Sequence, residues 1–481
     1  MVSPVNKGLF IMPDQGEILD RLCDVLKQHI NGQNDAPFVQ YHTPEELARK
    51  LQLEKNGEEG SWAQMFFWIE KYLEYSVKTN HPGFVNRMWC GANLPSVLGE
   101  MVAAVSNTSS CTYESAPVST LMEKYMLQEM LDLAGFTNGE GQMTTGSSNA
   151  NMLAMMAARN ERLTAVKTKG LFGQNNIFGF VSADAHYSLT KAANILGIGI
   201  DNLIRVPVNS RGEMDTVLLA NGLQQIEDRG GTPFFVAGTA GTTVRGAYDS
   251  IAELLALRDK YSFWLHIDGA WGGAVLVSEK LRQRYMKGIE KVDSLTWDFH
   301  KMLGTSLMCN VFLINHRSHT LGKVCSGGDD SYLFHDAQSN DVHDLGAVSL
   351  QCGRRVDSLK WFLDWKFFGR NEFGRRVEYS LDLCRYAEQI VQESEHLELV
   401  VPRNSFNICF RFRAGKYSDN LTLAIREKLY HEGKSLVGYA YHDNRPFLRL
   451  LLANHQLSKD DVDNYFKEVI ETGKSLEVIR V

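Results

Sequence analysis

The sequence predicts an α/β protein whose main body is a mostly parallel sheet flanked by helices. Three observations carry that expectation. Between about residues 140 and 315, short β-branched or aromatic runs alternate with helical segments. Several apolar runs end on a polar residue and pass straight into small residues, as in FWLHIDGAWGG. Length is the third: 481 residues suffice for one large α/β domain with appendages. Strand-helix alternation argues for parallel pairing, because parallel strands need crossover helices. On such sheets ligands bind beyond the carboxyl ends of the strands.

The runs read as strands are NIFGFVS, LIRVPV, PFFVAGT, FWLHID, SLTWD and NVFLIN, with helices such as NANMLAMMAARNERL, HYSLTKAANILG and SIAELLALRDKY between several of them. Ahead of this region, residues 14–78 read as helical. In HTPEELARKL, Thr43 is the cap, Pro44 takes the first helical position and Glu46 closes a capping box. Two further helices follow, over LPSVLGEMVAAVSN and PVSTLMEKYMLQEMLDLAGF, the second stopped by Gly135. Beyond about 366 come long helical runs and then strands near NICFRFR and FLRLLLAN. This divides the chain into an N-terminal helical segment (1–95), a large domain (96–365) and a small α+β C-terminal domain (366–481).

Composition excludes some classes. A hydrophobic fraction of 44% and a charged fraction of 22% are those of a soluble globular protein. A net charge of -7 leaves no basic surplus for nucleic acid as the main partner. Eight cysteines with no C-x-x-C pair form neither a disulfide framework nor a zinc pattern, so they read as reduced thiols in the cytoplasm. No metal site is expected. No apolar run approaches a membrane span, and the short patch LFIM near the start is too short for a signal peptide.

Four features carry the chemistry, in chain order. In MTTGSSNANM, Gly146, Ser147, Ser148 and Asn149 lead into a helix, an arrangement suited to a phosphate, though such residues also cap helices generally. His186 follows the strand NIFGFVS; it is either a hydrogen-bonded structural histidine or a ring that stacks on a heterocycle. Asp268 ends FWLHID among Gly269, Ala270, Gly272 and Gly273, where it either caps a turn or holds a protonated ring nitrogen. Lys301, in LTWDFHKMLG, is either a snorkelling lysine or a desolvated amine able to form a Schiff base. Phosphate cradle, stacking ring, ring-nitrogen partner and amine are together the parts of a pyridoxal 5'-phosphate site.

The motifs HPGFVN, NTSSCTYESAPV, VKTKG, AHYSLTKAA, TAGTTVRGAYD, WLHIDGAWGG, DSLTWDFHKM, QCGRRVDSLK and FLRLLLAN are similar to those of the group II pyridoxal-phosphate-dependent amino acid decarboxylases. The resemblance runs from about residue 80 to the C-terminus and is strongest to the branch holding animal glutamate and cysteine sulfinate decarboxylases. It implies an aspartate-aminotransferase-like fold (fold type I) and an obligate homodimer with shared active sites. It also implies that Lys301 bonds the cofactor aldehyde, Asp268 pairs with the pyridinium nitrogen and His186 stacks on the ring. Ala270 would pack under the ring and Thr239 beside its edge. Ser147, Ser148, Asn149 and His300 would make up the phosphate and cofactor shell.

Substrate expectations follow from the same resemblance. Arg449 aligns with an arginine that resembles a carboxylate clamp, although it could also be a structural ion-pair member. Arg87 stands where the animal enzymes have glutamine, and Trp89 and Ser109 follow the cysteine sulfinate version. A bulky Trp89 shortens the pocket and favours aspartate, cysteine sulfinate or cysteate, giving β-alanine, hypotaurine or taurine, over glutamate, which would give GABA. Two departures stand out. Asp298-Phe299-His300 replaces asparagine-proline-histidine before the lysine. In LFHDAQSNDVHDLGAVSLQ, one residue shorter than the family's loop, His343 stands near the position of a tyrosine proton donor. His343 either replaces that donor or leaves the reaction open to oxidative deamination to an aldehyde. A catalytically silent cofactor-binding homologue and an aminotransferase are the competing classes.

Overall fold

In a computed structural model of the chain, the described residues are 14–53, 60–173, 176–317, 319–328, 332–334, 344–413 and 418–478. The strands among them are β1 (Phe84–Val85), β2 (Glu140–Thr144), β3 (Ile177–Ser182), β4 (Leu203–Val206), β5 (Thr232–Thr239), β6 (Trp264–Asp268), β7 (Ser294–Asp298), β8 (Asn310–Ile314), β9 (Leu397–Leu399), β10 (Asn407–Phe412), β11 (Leu436–His442) and β12 (Arg445–Leu451). The six runs read as strands in the central region are β3 to β8. The sequence reading did not include β2, β9 or β11, nor the two-residue β1.

The large sheet has the order β2-β8-β7-β6-β5-β3-β4. Pairing is parallel from β4 through β7, while β8 is antiparallel to both β7 and β2. So β8 alone runs against the other six, and the fold is the mostly parallel α/β arrangement expected. Helices cover both faces, which leaves β6, β7 and β8 buried along their whole length.

The two faces differ in chemistry, and side-chain alternation along the strands shows how. Leu265 and Ile267 of β6, Leu295 and Trp297 of β7, and Val311 and Leu313 of β8 belong to one apolar core. Trp264 of β6, Phe235 and Ala237 of β5, and Phe312 and Ile314 of β8 belong to the other, together with Ala150, Leu153 and Ala154 of the helix Ser147–Arg162. By the same alternation Thr239, His266, Asp268, Ser294, Thr296 and Asp298 face that helix. The polar residues of the strands are gathered on one side.

Helix ends follow local chemistry. The Thr43–Glu46 capping box is present at Pro44–Lys50, and Gly135 ends Pro117–Ala134 in the left-handed conformation at φ 74°. The smaller sheet has the order β1-β11-β12-β10-β9, antiparallel except for β1 on β11. Strand β1 lies in the N-terminal segment, so that segment and the C-terminal strands share one sheet. The helical run Asp357–Glu393 breaks at Gly369, where φ 69° and ψ 167° are not helical. No helix among the described residues is long and apolar enough to cross a membrane.

The first half of that run anchors the turn that carries Lys301. Phe299 is fully buried and stacks on Trp361, with ring centroids 4.2 Å apart and planes 6° from parallel. Trp361 in turn packs against Trp365 and Phe373. Phe299→Ala removes the ring from a site that cannot readily collapse. Chemical denaturation of the purified variant should show a loss of about 3–5 kcal/mol, whereas Phe299→Leu should lose less.

Candidate active site

Three neighbouring parallel strands end on the residues that matter: β5 on Thr239, β6 on Asp268 and β7 on Asp298, with Thr239 and Asp268 paired in register. Lys301 lies in the turn after β7. Its Nζ is 2.9 Å from Asp298 Oδ2, and His300 Nε2 is 3.8 Å from the same oxygen. Asp298 is only 2% exposed, and its Oδ1 also accepts from the Asn310 side-chain amide. Burial pushes the Asp298 carboxyl up, but Lys301, His300 and hydrogen bonds from Lys301 and Ser147 outweigh it and hold the carboxyl below its usual range. The carboxylate is therefore ionised and pairs with the lysine. His300 is fixed from its other nitrogen, where Nδ1 lies 3.1 Å from the Cys309 N–H and 2.7 Å from the Cys309 carbonyl.

Asp268 is held by neutral donors. Its Oδ2 accepts from Asn151 Nδ2 at 2.8 Å and its Oδ1 from the Ala270 N–H at 3.1 Å. Asn151 lies one turn into the helix that begins at Ser147, and its side chain is fully committed. Nδ2 also reaches Ser188 Oγ at 3.0 Å, and Oδ1 faces His266 Nε2 at 3.0 Å. Because Asn151 Oδ1 can only accept, His266 carries its proton on Nε2, and its Nδ1 accepts from Ser294 Oγ at 2.8 Å. Ser294 Oγ takes a bond from Trp264 Nε1 at 2.8 Å. Burial pushes the His266 imidazole down to about 4, so it stays neutral.

The chain continues to the ring expected to stack on the cofactor. Ser188 donates its backbone N–H, 3.3 Å away, to His186 Nδ1, and its Oγ lies 2.9 Å from the same nitrogen. Burial lowers the His186 pKa as well, against the pull of Asp268. A neutral imidazole results, oriented from below. Asn151, Ser188, His266 and Ser294 were not singled out in the sequence. The signal for two of them was present: His266 and Ser294 lie on the same strand faces as Asp268 and Asp298, as polar residues in buried strands.

The residues present fit pyridoxal phosphate. Thr239 Oγ1 and Asn149 Oδ1 are buried and have no hydrogen-bond partner, so both are open to a ligand. The 16-residue helix Ser147–Arg162 starts at Gly146, whose φ of 112° favours glycine, with no side chain capping the first turn. Uncapped N–H groups at such a terminus suit a phosphate. Ser147 Oγ accepts from Asn310 Nδ2 at 3.2 Å, Ser148 is exposed and Ala270 is buried beside Asp268.

Arg449 lies where the small sheet meets the turn after β5, close to Arg87 on the loop that also carries Trp89. Arg449 donates from Nη1 to the Thr243 carbonyl and from Nη2 to the Asn86 carbonyl, both at 2.8 Å, while its buried Nε has no partner. Burial and then the charge of Arg87 lower the Arg449 pKa. A Cβ at Gly438 would lie 3.1 Å from Nη2, so glycine lets the guanidinium cross β11. Trp89 is half-buried and tilts against Phe84 at 5.5 Å.

Ser109 makes a different contact: its Oγ accepts from the Arg354 N–H at 3.1 Å. Arg354 is buried, pairs with Glu123 and donates to the Ser110 carbonyl at 2.8 Å. His343 lies outside the described residues. The chain directly after it is tied to the Ser109 segment, since Asp344 Oδ1 accepts from the Tyr113 N–H and Gly346 donates to the Cys111 carbonyl, both at 2.8 Å.

Comparison with known proteins agrees with this geometry. The pyridoxal-dependent decarboxylase conserved domain matches residues 44–413. The acidic amino acid decarboxylase GADL1 of Bos taurus is 35% identical over 451 residues, covering 91% of this chain and 86% of the relative. The cysteine sulfinic acid decarboxylase of Homo sapiens is also 35% identical, covering 91% of both chains. The crystal structure of mouse CSAD in apo form superposes with a TM-score of 0.90 at 32% identity, over 95% of this chain and 98% of that one. The chain belongs to the pyridoxal-dependent decarboxylase family, and it is an amino acid decarboxylase that uses pyridoxal 5'-phosphate.

Proposed function

We propose that the enzyme removes the α-carboxylate of a short acidic L-amino acid (aspartate, cysteine sulfinate or cysteate). The observation that carries this reading is the Arg449 guanidinium: it is largely desolvated, has an unpartnered Nε, and Arg87 lies close enough to depress its pKa. Two cations there suit a substrate with a second acidic group, and Trp89 on the same loop limits its length. The relatives named for acidic amino acids and for cysteine sulfinic acid support the same class.

In this reading the cofactor, when bound, supplies the electron sink that allows CO₂ to leave. Asp268 would keep a proton on the ring nitrogen, and the Asn151 bridge holds that carboxylate in place. His186 would pack its neutral ring against the heterocycle. Lys301 would hold the aldehyde end, Thr239 would lie by the ring, and Ser147, Ser148, Asn149 and His300 would hold the phosphate. Arg449 and Arg87 hold the distal acid and so orient the α-carboxylate.

The proposal extends to a cytoplasmic homodimer. All eight cysteines are free thiols, which suits a reducing compartment. Leu94, Leu98, Met101, Val102 and Val105 line one helix and are exposed, Val105 to 84%, as a stripe at helical spacing. Such a face belongs against another apolar surface. Sedimentation of the purified chain at its monomer mass would remove this part of the proposal.

Purified enzyme with added pyridoxal phosphate should release CO₂ from aspartate, cysteine sulfinate or cysteate faster than from glutamate. Faster release from glutamate overturns the short-substrate reading. Trp89→Ser should shift kcat/KM toward glutamate by about 10–200-fold relative to aspartate. His343 is proposed as the proton donor to the α-carbon after CO₂ leaves, a task its ordinary pKa suits. His343→Phe should then lower amine formation by about 10²-fold or more. Unchanged amine formation removes that role, and aldehyde with peroxide from the wild type identifies oxidative deamination instead.

A further inference from the structure

Asp298 stands where the family resemblance places an asparagine, and its contacts show what the extra charge reaches. Its Oδ2 lies 2.9 Å from Lys301 Nζ and 3.8 Å from His300 Nε2. Its other oxygen takes the Asn310 amide, and the Ser147 hydroxyl also bonds to the carboxylate. Asn310 Nδ2 lies 3.2 Å from Ser147 Oγ, so the amide ties the two together. The carboxylate thus spans the gap between the cofactor lysine and the first residue of the helix Ser147–Arg162, shielded from water. An asparagine could keep contacts with Asn310 and Ser147, but it would set no negative charge against Lys301.

We propose that Asp298 is a positioning residue with two opposed effects: it holds the free Lys301 amine at the cofactor site, and it weakens the site's grip on the cofactor's phosphate. The first effect is the ion pair itself. The second follows from charge. A phosphate ester brings about -1.5 to -2 charges, and it would arrive at a helix N-terminus whose first side chain already contacts a carboxylate. Like charges brought together away from water oppose each other strongly. Lys301 supplies the positive charge on the same turn, and it would be committed to the aldehyde once the cofactor is in place. His186 stays neutral and so does not offset the carboxylate, and burial keeps the Cys309 thiol protonated, so it adds no second negative charge. The consequence is an enzyme that exchanges its cofactor, its loaded fraction following the concentration of free pyridoxal phosphate.

This rests on the proposed seating of the phosphate at Ser147–Asn149, and the test separates the two ideas. The full-length apoenzyme is titrated to equilibrium with pyridoxal phosphate and with pyridoxal, which lacks the phosphate, and binding is followed by absorbance and tryptophan quenching. The quantity of interest is the ratio of the two dissociation constants. In Asp298→Asn that ratio should shift toward pyridoxal phosphate by on the order of ten-fold or more, because only the phosphate feels the lost charge. The effect on pyridoxal alone reports the Lys301 ion pair. An unchanged ratio, or one shifted toward pyridoxal, overturns the proposal. If the wild type and Asp298→Asn both bind pyridoxal as tightly as pyridoxal phosphate, the phosphate site itself is misplaced. Asp298→Ser removes the same charge with a different shape and gives the same readout should the asparagine variant fail to fold. Circular dichroism of each variant checks the fold independently.

Discussion

The hydrogen bond from Asn151 to Asp268 is the constraint on which the site's geometry depends. Asn151 belongs to the helix whose N-terminus is the proposed phosphate seat, and Asp268 is the proposed partner of the ring nitrogen. A single 2.8 Å contact therefore fixes the distance between the two ends of the proposed cofactor site. It is buried, and each group of Asn151 has a named partner, so the helix cannot slide along the sheet without stranding a polar group. An unpaired buried polar group costs about 1–3 kcal/mol, which makes the register discrete. His266, Ser294 and Trp264 extend the constraint across β6 and β7.

A second set of bonds couples that frame to the small sheet. The turn after β5 offers the Thr243 and Val244 carbonyls to Asn407 Nδ2 at 3.1 and 3.0 Å, and the Thr243 carbonyl also accepts from Arg449. Arg449 reaches on to the Asn86 carbonyl in the loop before Arg87 and Trp89. One guanidinium thus joins the end of β5, the N-terminal loop and the small sheet. A substrate acid drawn to Arg449 would be positioned by elements that are far apart in sequence yet share one rigid junction. This is why the loop FVNRMWCG and the run FLRLLLAN, more than 350 residues apart, read together only in three dimensions.

What the sequence made legible divides along a physical line. Strands β3 to β8 stood out because strands covered by helices on both faces are near-continuous apolar runs, and antiparallel β8 is buried as fully as its parallel neighbours β6 and β7. The missed β2, EGQMT, has no such texture, and β11, LVGYAYH, is exposed along its outer half. Lys301, Asp268 and His186 were legible from their positions at strand ends and from family motifs. Asn151 was not, because an asparagine inside a helix has no distinctive local pattern. His266 and Ser294 had one: they lie two and four places before the strand-end carboxylates Asp268 and Asp298, on the same strand face, and only a polar partner on the facing helix or strand makes buried polar residues there tolerable.

Asp268 and Asp298 show how equal burial can serve different ends. Both close neighbouring segments of the same sheet, and both are almost fully hidden from water. Asp268 is surrounded by an amide and a backbone N–H, donors that orient a carboxylate without neutralising it. No cation among its hydrogen-bond partners competes for the carboxylate, which suits the ring-nitrogen role proposed for it. Asp298 is surrounded by a lysine, a histidine and an amide, so in the free protein its charge is already matched. If Lys301 bonds the cofactor aldehyde as proposed, that match would be lost and the carboxylate would be left beside the proposed phosphate seat. On that reading the same residue type, one strand apart, would strengthen the hold at one end of the cofactor and loosen it at the other. The difference lies in the charge of the donors, not in depth of burial.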